Sequence, residues 1–133
     1  MQEIISIPTS KKQELVDITD NIRGIIKKSK VKDGLCTIFA MHTTAAIIIN
    51  ENDDPNICLD LLASLNGLIP NGKWRHDKVD GNADAHIKSV MLGPSEVIPI
   101  KNGELQLGQW KSPMLAEFDG PRSRKIIIQV TGD

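Results

Sequence analysis

Apolar positions along this 133-residue chain repeat with two different periods, and the switches between them mark out its elements. Residues 2 to 8 alternate, with Ile5 and Ile7 on one face, which predicts a first strand stopped by Pro8 and the polar Thr9-Ser10-Lys11-Lys12 turn. Leu15, Ile18, Ile22, Ile25 and Ile26 then recur at helical spacing. Thr19 or Asp20 is available as a cap, and Lys27 and Lys28 stand in the last turn, where they complement the helix dipole. This predicts an amphipathic helix ending before Asp33-Gly34. From Leu35 to Met41 and from Ala45 to Ile49 the chain is apolar on both faces and rich in β-branched residues, as in strands at the centre of a sheet. Asp54-Pro55 follows as a helix start, a capping carboxylate before a proline at the first helical position. Ile57, Cys58, Leu61, Leu62, Leu65, Leu68 and Ile69 form that helix's buried stripe, which Gly67 and Pro70 close.

The stretch from Trp74 to His86 has almost no apolar periodicity, yet it holds two of the chain's three histidines. Ala83 to Leu92 can form a short third helix carrying His86, closed by Gly93-Pro94. Glu96 to Lys101, Asn102-Gly103 and Glu104 to Leu107 then read as a two-residue type I′ hairpin. Its register would pair Ile100 with Leu105, Ile98 with Leu107 and Lys101 with Glu104, and Pro99 marks an edge strand. Met114 to Phe118 and Lys125 to Val130 are further strands, separated by the Asp119-Gly120-Pro121-Arg122 turn. Two or three helices and seven or eight strands joined mostly by hairpins predict an α+β fold with a largely antiparallel sheet, in a single domain spanning residues 1–133.

Composition narrows the partners. Sixteen basic and seventeen acidic side chains are interspersed, for a net charge of −1, so no polyelectrolyte partner is indicated. Two Trp, two Phe and no Tyr leave little stacking surface for nucleic acid. No apolar run approaches the ~20 residues that span a bilayer, and the first residues do not resemble a signal peptide. Cys36 and Cys58 lack close spacing and read as reduced core thiols, so a soluble cytoplasmic protein is expected.

His42, His76 and His86 all lie outside apolar runs, and His42 stands where a strand hands over to a loop. Three neutral imidazoles can hold a zinc-like ion and leave a fourth position for water, whose pKa then falls toward ~7. Their separations match no local metal motif, and loop or capping histidines are the alternative. Arg122 and Arg124 are two apart at a strand entry, suited to gripping a phosphate or carboxylate. The competing reading pairs them with Glu117 or Asp119. Thr43 and Thr44 could donate hydroxyls to the same anion, though threonine after a strand is also ordinary turn chemistry. Glu51 is a candidate general base, with helix capping as its alternative.

Five blocks in order, His42-Thr-Thr-Ala-Ala, Ile49-Asn-Glu-Asn-Asp-Asp-Pro55, Asp80-Gly-Asn-Ala-Asp-Ala-His-Ile87, Gly108-Gln-Trp110 and Glu117-Phe-Asp-Gly-Pro-Arg122, resemble the YjbQ family, whose members bear the name secondary thiamine-phosphate synthase. The resemblance covers essentially the whole chain. It implies an α+β protein whose strands form a β-sandwich, assembled as a homotrimer, with the histidine-bearing loops in a cleft near a subunit boundary. Carried over residue by residue, it implies a metal site at His42, His76 and His86, with Glu51, Glu117, Asp119 and Arg122 as the remaining polar positions, the three carboxylates as catalytic groups. The implied activity is a weak thiamine-phosphate synthesis that joins a pyrimidine-methyl diphosphate to a thiazole phosphate with loss of pyrophosphate. One departure is visible: Lys111 follows Gln109-Trp110 where the family more often reads Gly-Thr-Trp-Gln, which would place a cation near the cleft.

Three readings follow. In the synthase reading Arg122 and Arg124, with a divalent metal, neutralise the departing pyrophosphate. Diphosphate enzymes usually recruit magnesium through carboxylates, whereas imidazoles prefer zinc or a similar transition metal. A metal-dependent hydrolase or lyase acting on a small phosphorylated or carboxylated molecule is therefore the second reading. A non-enzymatic trimer that binds metal or a small molecule is the third.

Overall fold

The computed structural model describes residues 1–133. Its elements run β1 (Gln2–Pro8), β2 (Glu14–Asp17), α1 (Thr19–Ser29), β3 (Gly34–Ala40), β4 (Ala45–Glu51), α2 (Pro55–Leu68), a 3-10 turn (Arg75–Lys78), α3 (Ala83–Leu92), β5 (Ser95–Lys101), β6 (Glu104–Leu105), β7 (Lys111–Glu117) and β8 (Ser123–Gly132). Every strand pairing is antiparallel. One sheet has the order β1-β8-β3-β5-β6 and the other β2-β7-β4.

The layers follow from which faces are apolar. Ile7, Cys36, Ile38, Ile98, Ile100, Ile126 and Ile128 line the inner face of the five-stranded sheet. They share one core with Ala45, Ile47 and Leu115 of the three-stranded sheet and with Ile18, Ile22, Ile25 and Ile26 at and in α1. Burying such side chains contributes about 1.5–3 kcal/mol each, enough to hold the sheets face to face. The opposite face of the smaller sheet, through Ala46, Ala116 and neighbouring Phe118, packs on Ala85 of α3 and on Leu62 and Leu65 of α2. The α+β class with antiparallel sheets and three helices therefore stands, as an open half-barrel of unequal sheets. No helix is long and apolar enough to cross a membrane.

The local chemistry is specific at two ends. The Asp54 carboxylate accepts from the Asn56 N–H at 2.9 Å and Pro55 opens α2, a cap worth roughly 1 kcal/mol. In the β5–β6 hairpin, Asn102 and Gly103 have φ of 53° and 77°, as a type I′ turn requires, and Ile100 faces Leu105 while Lys101 faces Glu104. The ladder ends there, so the expected Ile98–Leu107 pair does not form, although both side chains are buried.

Three elements differ from the sequence expectation. β4 lies at the edge of the three-stranded sheet rather than at a centre, with α2 and α3 rather than a further strand beside it. The apolar stripe of α2 is only partly covered, and Leu68 near its end is exposed. Leu15 belongs to β2, where it pairs with Ala116 of β7, and α1 begins only at Thr19. The cap also differs: neither Thr19 nor Asp20 caps, and the Asp17 carboxylate instead accepts from the Thr19 N–H at 2.8 Å and its hydroxyl at 2.5 Å. The two cysteines are unpaired thiols, as expected, and burial pushes the Cys36 thiol up to about 11.

Candidate functional site

Two crossings between the sheets create the site. β3 ends at Ala40 and β4 begins at Ala45 in the other sheet, so Met41 to Thr44 pass from one layer to the next. β7 ends at Glu117 and β8 begins at Ser123, so Phe118 to Arg122 pass back. The Ala45–Glu117 and Ala40–Ile126 pairings hold these crossings side by side. The N-terminus of α3 closes the third side. Between them opens a cleft of about 450 Å³ that no apolar side chain lines. His42, Thr43 and Thr44 come from the first crossing, Asp119, Arg122, Ser123 and Arg124 from the second, and Asp80, Asn82 and His86 from the approach to α3 and its first turns.

Beneath the cleft lies a buried ion pair. Arg124 is 2% exposed and Glu117 fully buried. The Arg124 Nε donates to both Glu117 oxygens at 2.9 and 3.0 Å, and its Nη2 donates to Glu117 Oε2 and, at 2.8 Å, to the Thr44 hydroxyl. The Thr9 hydroxyl donates to Glu117 Oε1 at 2.7 Å and the Asp119 N–H to Oε2 at 3.1 Å. Burial would raise the Glu117 carboxyl, but these donors, Arg124 first, hold it below the usual range. Gly120 is required here, because a Cβ on it would stand 2.3 Å from the Lys11 carbonyl and 2.9 Å from Glu117.

Asp119 organises the rim. Its carboxylate accepts from Lys12 Nζ at 2.6 Å, Asn82 Nδ2 at 2.9 Å and Arg122 Nη2 at 3.1 Å, while its carbonyl accepts from Arg122 Nε at 2.7 Å. Burial opposes its ionisation, yet the bonds from Lys12 and Asn82, the Lys12 charge and Arg122 hold it at about 2. The Nη1 of each arginine has no partner within the chain, so both guanidiniums keep one donor group for a bound anion.

The His42 Nε2 accepts the Lys125 N–H at 2.9 Å. Burial, then the Arg124 charge, with Arg122 and Lys125 adding and Glu117 opposing, lowers its pKa, so His42 is neutral at pH 7. The rings of His76 and His86 meet edge to face, 5.0 Å apart, and Asp80 stands 3.6 Å from His76 Nε2.

The structure thus brings together His42, Thr43, Thr44, His86, Asp119, Arg122 and Arg124, with His76 against His86 from outside the lining and Glu117 below. It corrects four expectations. Glu117 cannot serve as a base, since Arg124, Thr9 and the Asp119 N–H surround both its oxygens. Asp119 stays ionised and fully engaged, so it positions Arg122 rather than carrying protons. Glu51 ends β4, six residues beyond Ala45, which places it on the order of 20 Å from the cleft. Lys111 faces Glu51 across the β4–β7 ladder and brings no cation to the cleft.

The residues do not fit a three-histidine metal site within one chain. No three His, Cys, Asp or Glu side chains converge where an ion could be held, and the His42 Nε2 lone pair is committed to Lys125. His76 and His86 alone are adjacent.

Lys12 and Asn82 also belong to the site, beyond the residues their types and motifs pick out. Lys12 reaches Asp119 across 107 positions, with no local signal. Asn82 had one, as an asparagine directly before a predicted helix, an ordinary capping position, but it makes no side-chain cap bond there. It donates to Asp119 instead.

The chain has close relatives in sequence and in fold. A family model described as UPF0047 protein YjbQ-like matches residues 3–133. A UPF0047 protein of Methanocaldococcus jannaschii is 49% identical over 127 residues, covering 96% of this chain and 91% of the relative. The UPF0047 protein YugU of Bacillus subtilis is 36% identical over 135 residues, 99% of this chain and all of its own. Among solved structures, a YbjQ-like protein of unknown function from Sulfolobus solfataricus superposes with a TM-score of 0.96 at 38% identity, over 100% of this chain and 97% of that one. An uncharacterised conserved protein from Clostridium acetobutylicum gives 0.93 at 41% identity, over 97% and 99%.

Proposed function

We propose, from the premise that this chain belongs to the UPF0047 YjbQ-like family, that its polar cleft binds a small phosphorylated molecule and assists departure of the phosphate-bearing group. The observation that carries this reading is the meeting of two arginines, each with a donor to spare, and two histidines in a cleft without apolar lining. Arg124 is fixed by Glu117 and Thr44, and Arg122 by Asp119, so the charge that forms on a leaving group meets donors already in place. The Thr43 and Ser123 side chains face the same space. His86, partly exposed, is positioned to give or take a proton.

The thiamine-phosphate synthase reaction is one member of this class. There the carbon–oxygen bond of the pyrimidine-methyl diphosphate breaks with its electron pair going to pyrophosphate, and the thiazole nitrogen forms the new carbon–nitrogen bond. Arg122 and Arg124 would receive the pyrophosphate, and magnesium could enter with that substrate. The test is pyrophosphate release with both substrates present. The expected result is turnover that falls about 100-fold or more in Arg122→Ala and in His86→Ala. No release under any condition, with phosphate still bound, would leave a small-molecule binding protein instead.

A second reading, a metal-dependent hydrolase or lyase, is favoured by the His76–His86 contact beside Asp80. It requires a further ligand from outside this arrangement of the chain. About one zinc-like ion per chain, lost in His86→Ala, would support it. For assembly we extend the reading to a homotrimer that covers the outer face of the five-stranded sheet.

A further inference from the structure

A larger cavity, about 650 Å³, lies between the C-terminal half of α1 and the tip of the β5–β6 hairpin. It falls within the range of small-molecule pockets, ~300–1,000 Å³. Arg23, Lys27, Lys30 and Lys32 stand around it, against one acid, Glu104. In a chain of net charge −1 this is a local concentration of cations. Lys27, Lys30 and Lys32 have no ionic partner, and Arg23 has only exposed Asp20 at 3.8 Å. By contrast Lys28 pairs with Glu3 and Lys101 with Asp33, just off the cavity.

Complementing the helix dipole accounts for Lys27 in the last turn of α1, but not for Arg23 one turn earlier or Lys32 beyond the end. Arg23 and Lys27 are four apart, where like charges repel. Lys30 is held left-handed, with φ of 61°, where glycine or asparagine would be relaxed. An anion between these groups would offset the repulsion.

The frame is rigid. The Gly103 N–H donates to the Lys32 carbonyl at 2.9 Å and the Lys32 N–H to the Asp133 carbonyl at 2.7 Å, which fastens the hairpin tip to the end of α1. The Lys32 side chain runs over the hairpin tip, its Nζ 3.7 Å from where a Cβ on Gly103 would stand. Ile26, Val31 and Leu105 give the cavity an apolar floor.

We propose that this cavity is a second ligand site, for a small phosphorylated organic molecule whose phosphates meet Arg23, Lys27, Lys30 and Lys32 while its apolar body lies on Ile26, Val31 and Leu105. It is separate from the polar cleft. Gly34 of β3 stands near it and Ala40 near the cleft, about 20 Å apart along an extended strand.

The experiment is an NMR titration of backbone amides in the intact protein with ATP and, separately, with inorganic pyrophosphate. Saturable shifts at residues 23–32 and 102–105 are expected, with ATP tighter than pyrophosphate and both weakened by salt. The double variant Lys27→Glu with Lys32→Glu should lose about tenfold or more in affinity, while Arg122→Ala leaves this binding intact. Three results would overturn the proposal: no saturation at millimolar ATP, shifts confined to residues 42–44 and 119–124, or unchanged affinity in the charge-reversed variant. Equal affinity for ATP and pyrophosphate would overturn the apolar subsite and with it the organic ligand class. Because Arg122→Ala disables only the cleft, failure here and failure of the cleft reading separate.

Discussion

Asp119 shows how one carboxylate can be indispensable to a site without acting on a proton. Three cationic or amide groups, from Lys12, Asn82 and Arg122, converge on it. Its folded pKa of about 2 lies below the ordinary aspartate range, so the unfolded chain binds the proton more readily than the folded one. The resulting stability is fully present above about pH 5 and is lost as the pH falls toward 2; a shift of this size corresponds to on the order of 2 kcal/mol. Asp119→Asn removes the titrating group and leaves every other one. The stability difference between wild type and Asp119→Asn, measured by urea unfolding, should therefore shrink between pH 5 and pH 2. A constant difference across that window would mean that Lys12, Asn82 and Arg122 do not hold the carboxylate in solution. His42 changes in the same sense. Its depressed pKa means that acid must protonate the Nε2 that accepts from Lys125, so the link between β8 and the first crossing also weakens as pH falls.

At the level of elements, the Glu117–Arg124 pair fastens one sheet to the other. Arg124 belongs to β8 of the larger sheet, while Glu117 in β7 belongs to the smaller, where Thr44 adjoins β4. Removing one partner strands the other's charge in the interior, which costs about 3–5 kcal/mol, whereas replacing both removes the need for compensation. Urea unfolding of Glu117→Gln, Arg124→Met and the double variant should give two severe single losses and a double loss well below their sum. Additive losses, or singles within ~0.5 kcal/mol of wild type, would mean that the pair does not join the sheets. This pair also marks the limit of what the sequence makes legible. The β5–β6 hairpin and the start of α2 could be read because Asn102-Gly103 and Asp54-Pro55 each carry their geometry within two residues. β2 is indistinguishable from the start of the helix in sequence because Leu15 sits three positions before Ile18, a helical interval, and its four residues are too few to show alternation. In the site, His42, His86, Arg122 and Arg124 stood out by residue type. Whether each arginine grips a ligand or an internal acid depended on Thr9, Lys12 and Thr44, which tertiary contacts bring in across long stretches of chain. Glu51 shows the converse: a suitable residue type beside a suitable motif, carried away from the cleft by the strand it ends.

For the whole molecule, the outer face of the five-stranded sheet is the feature that a lone chain does not explain. Strand register sets Ile4 opposite Ile127, Ile127 opposite Phe39, and Pro99 opposite Leu35, with Val97 alongside, so apolar side chains run across β1, β8, β3 and β5. Ile4 is 55% exposed, Val97 51%, Leu35 47% and Phe39 41%. A contiguous apolar patch of this kind is costly to leave in water and marks a contact surface. β5 is covered on its outer side by only the two residues of β6, and Pro99 offers no amide to a further strand, so association through the sheet face is favoured over strand addition. Closed assembly of copies of the chain would bury this face, and a trimer is the state expected. Sedimentation equilibrium at micromolar concentration should give three times the chain mass. Phe39→Asp combined with Val97→Asp should shift the distribution to monomer while leaving the circular dichroism spectrum unchanged, because both side chains point away from the core. A wild-type monomer would refute the assembly and leave the apolar face to a different partner. A trimer that survives both substitutions would instead move the interface to the exposed Val79, Val90 and Met91 beside the histidine-bearing segment, where a neighbouring subunit would border the cleft.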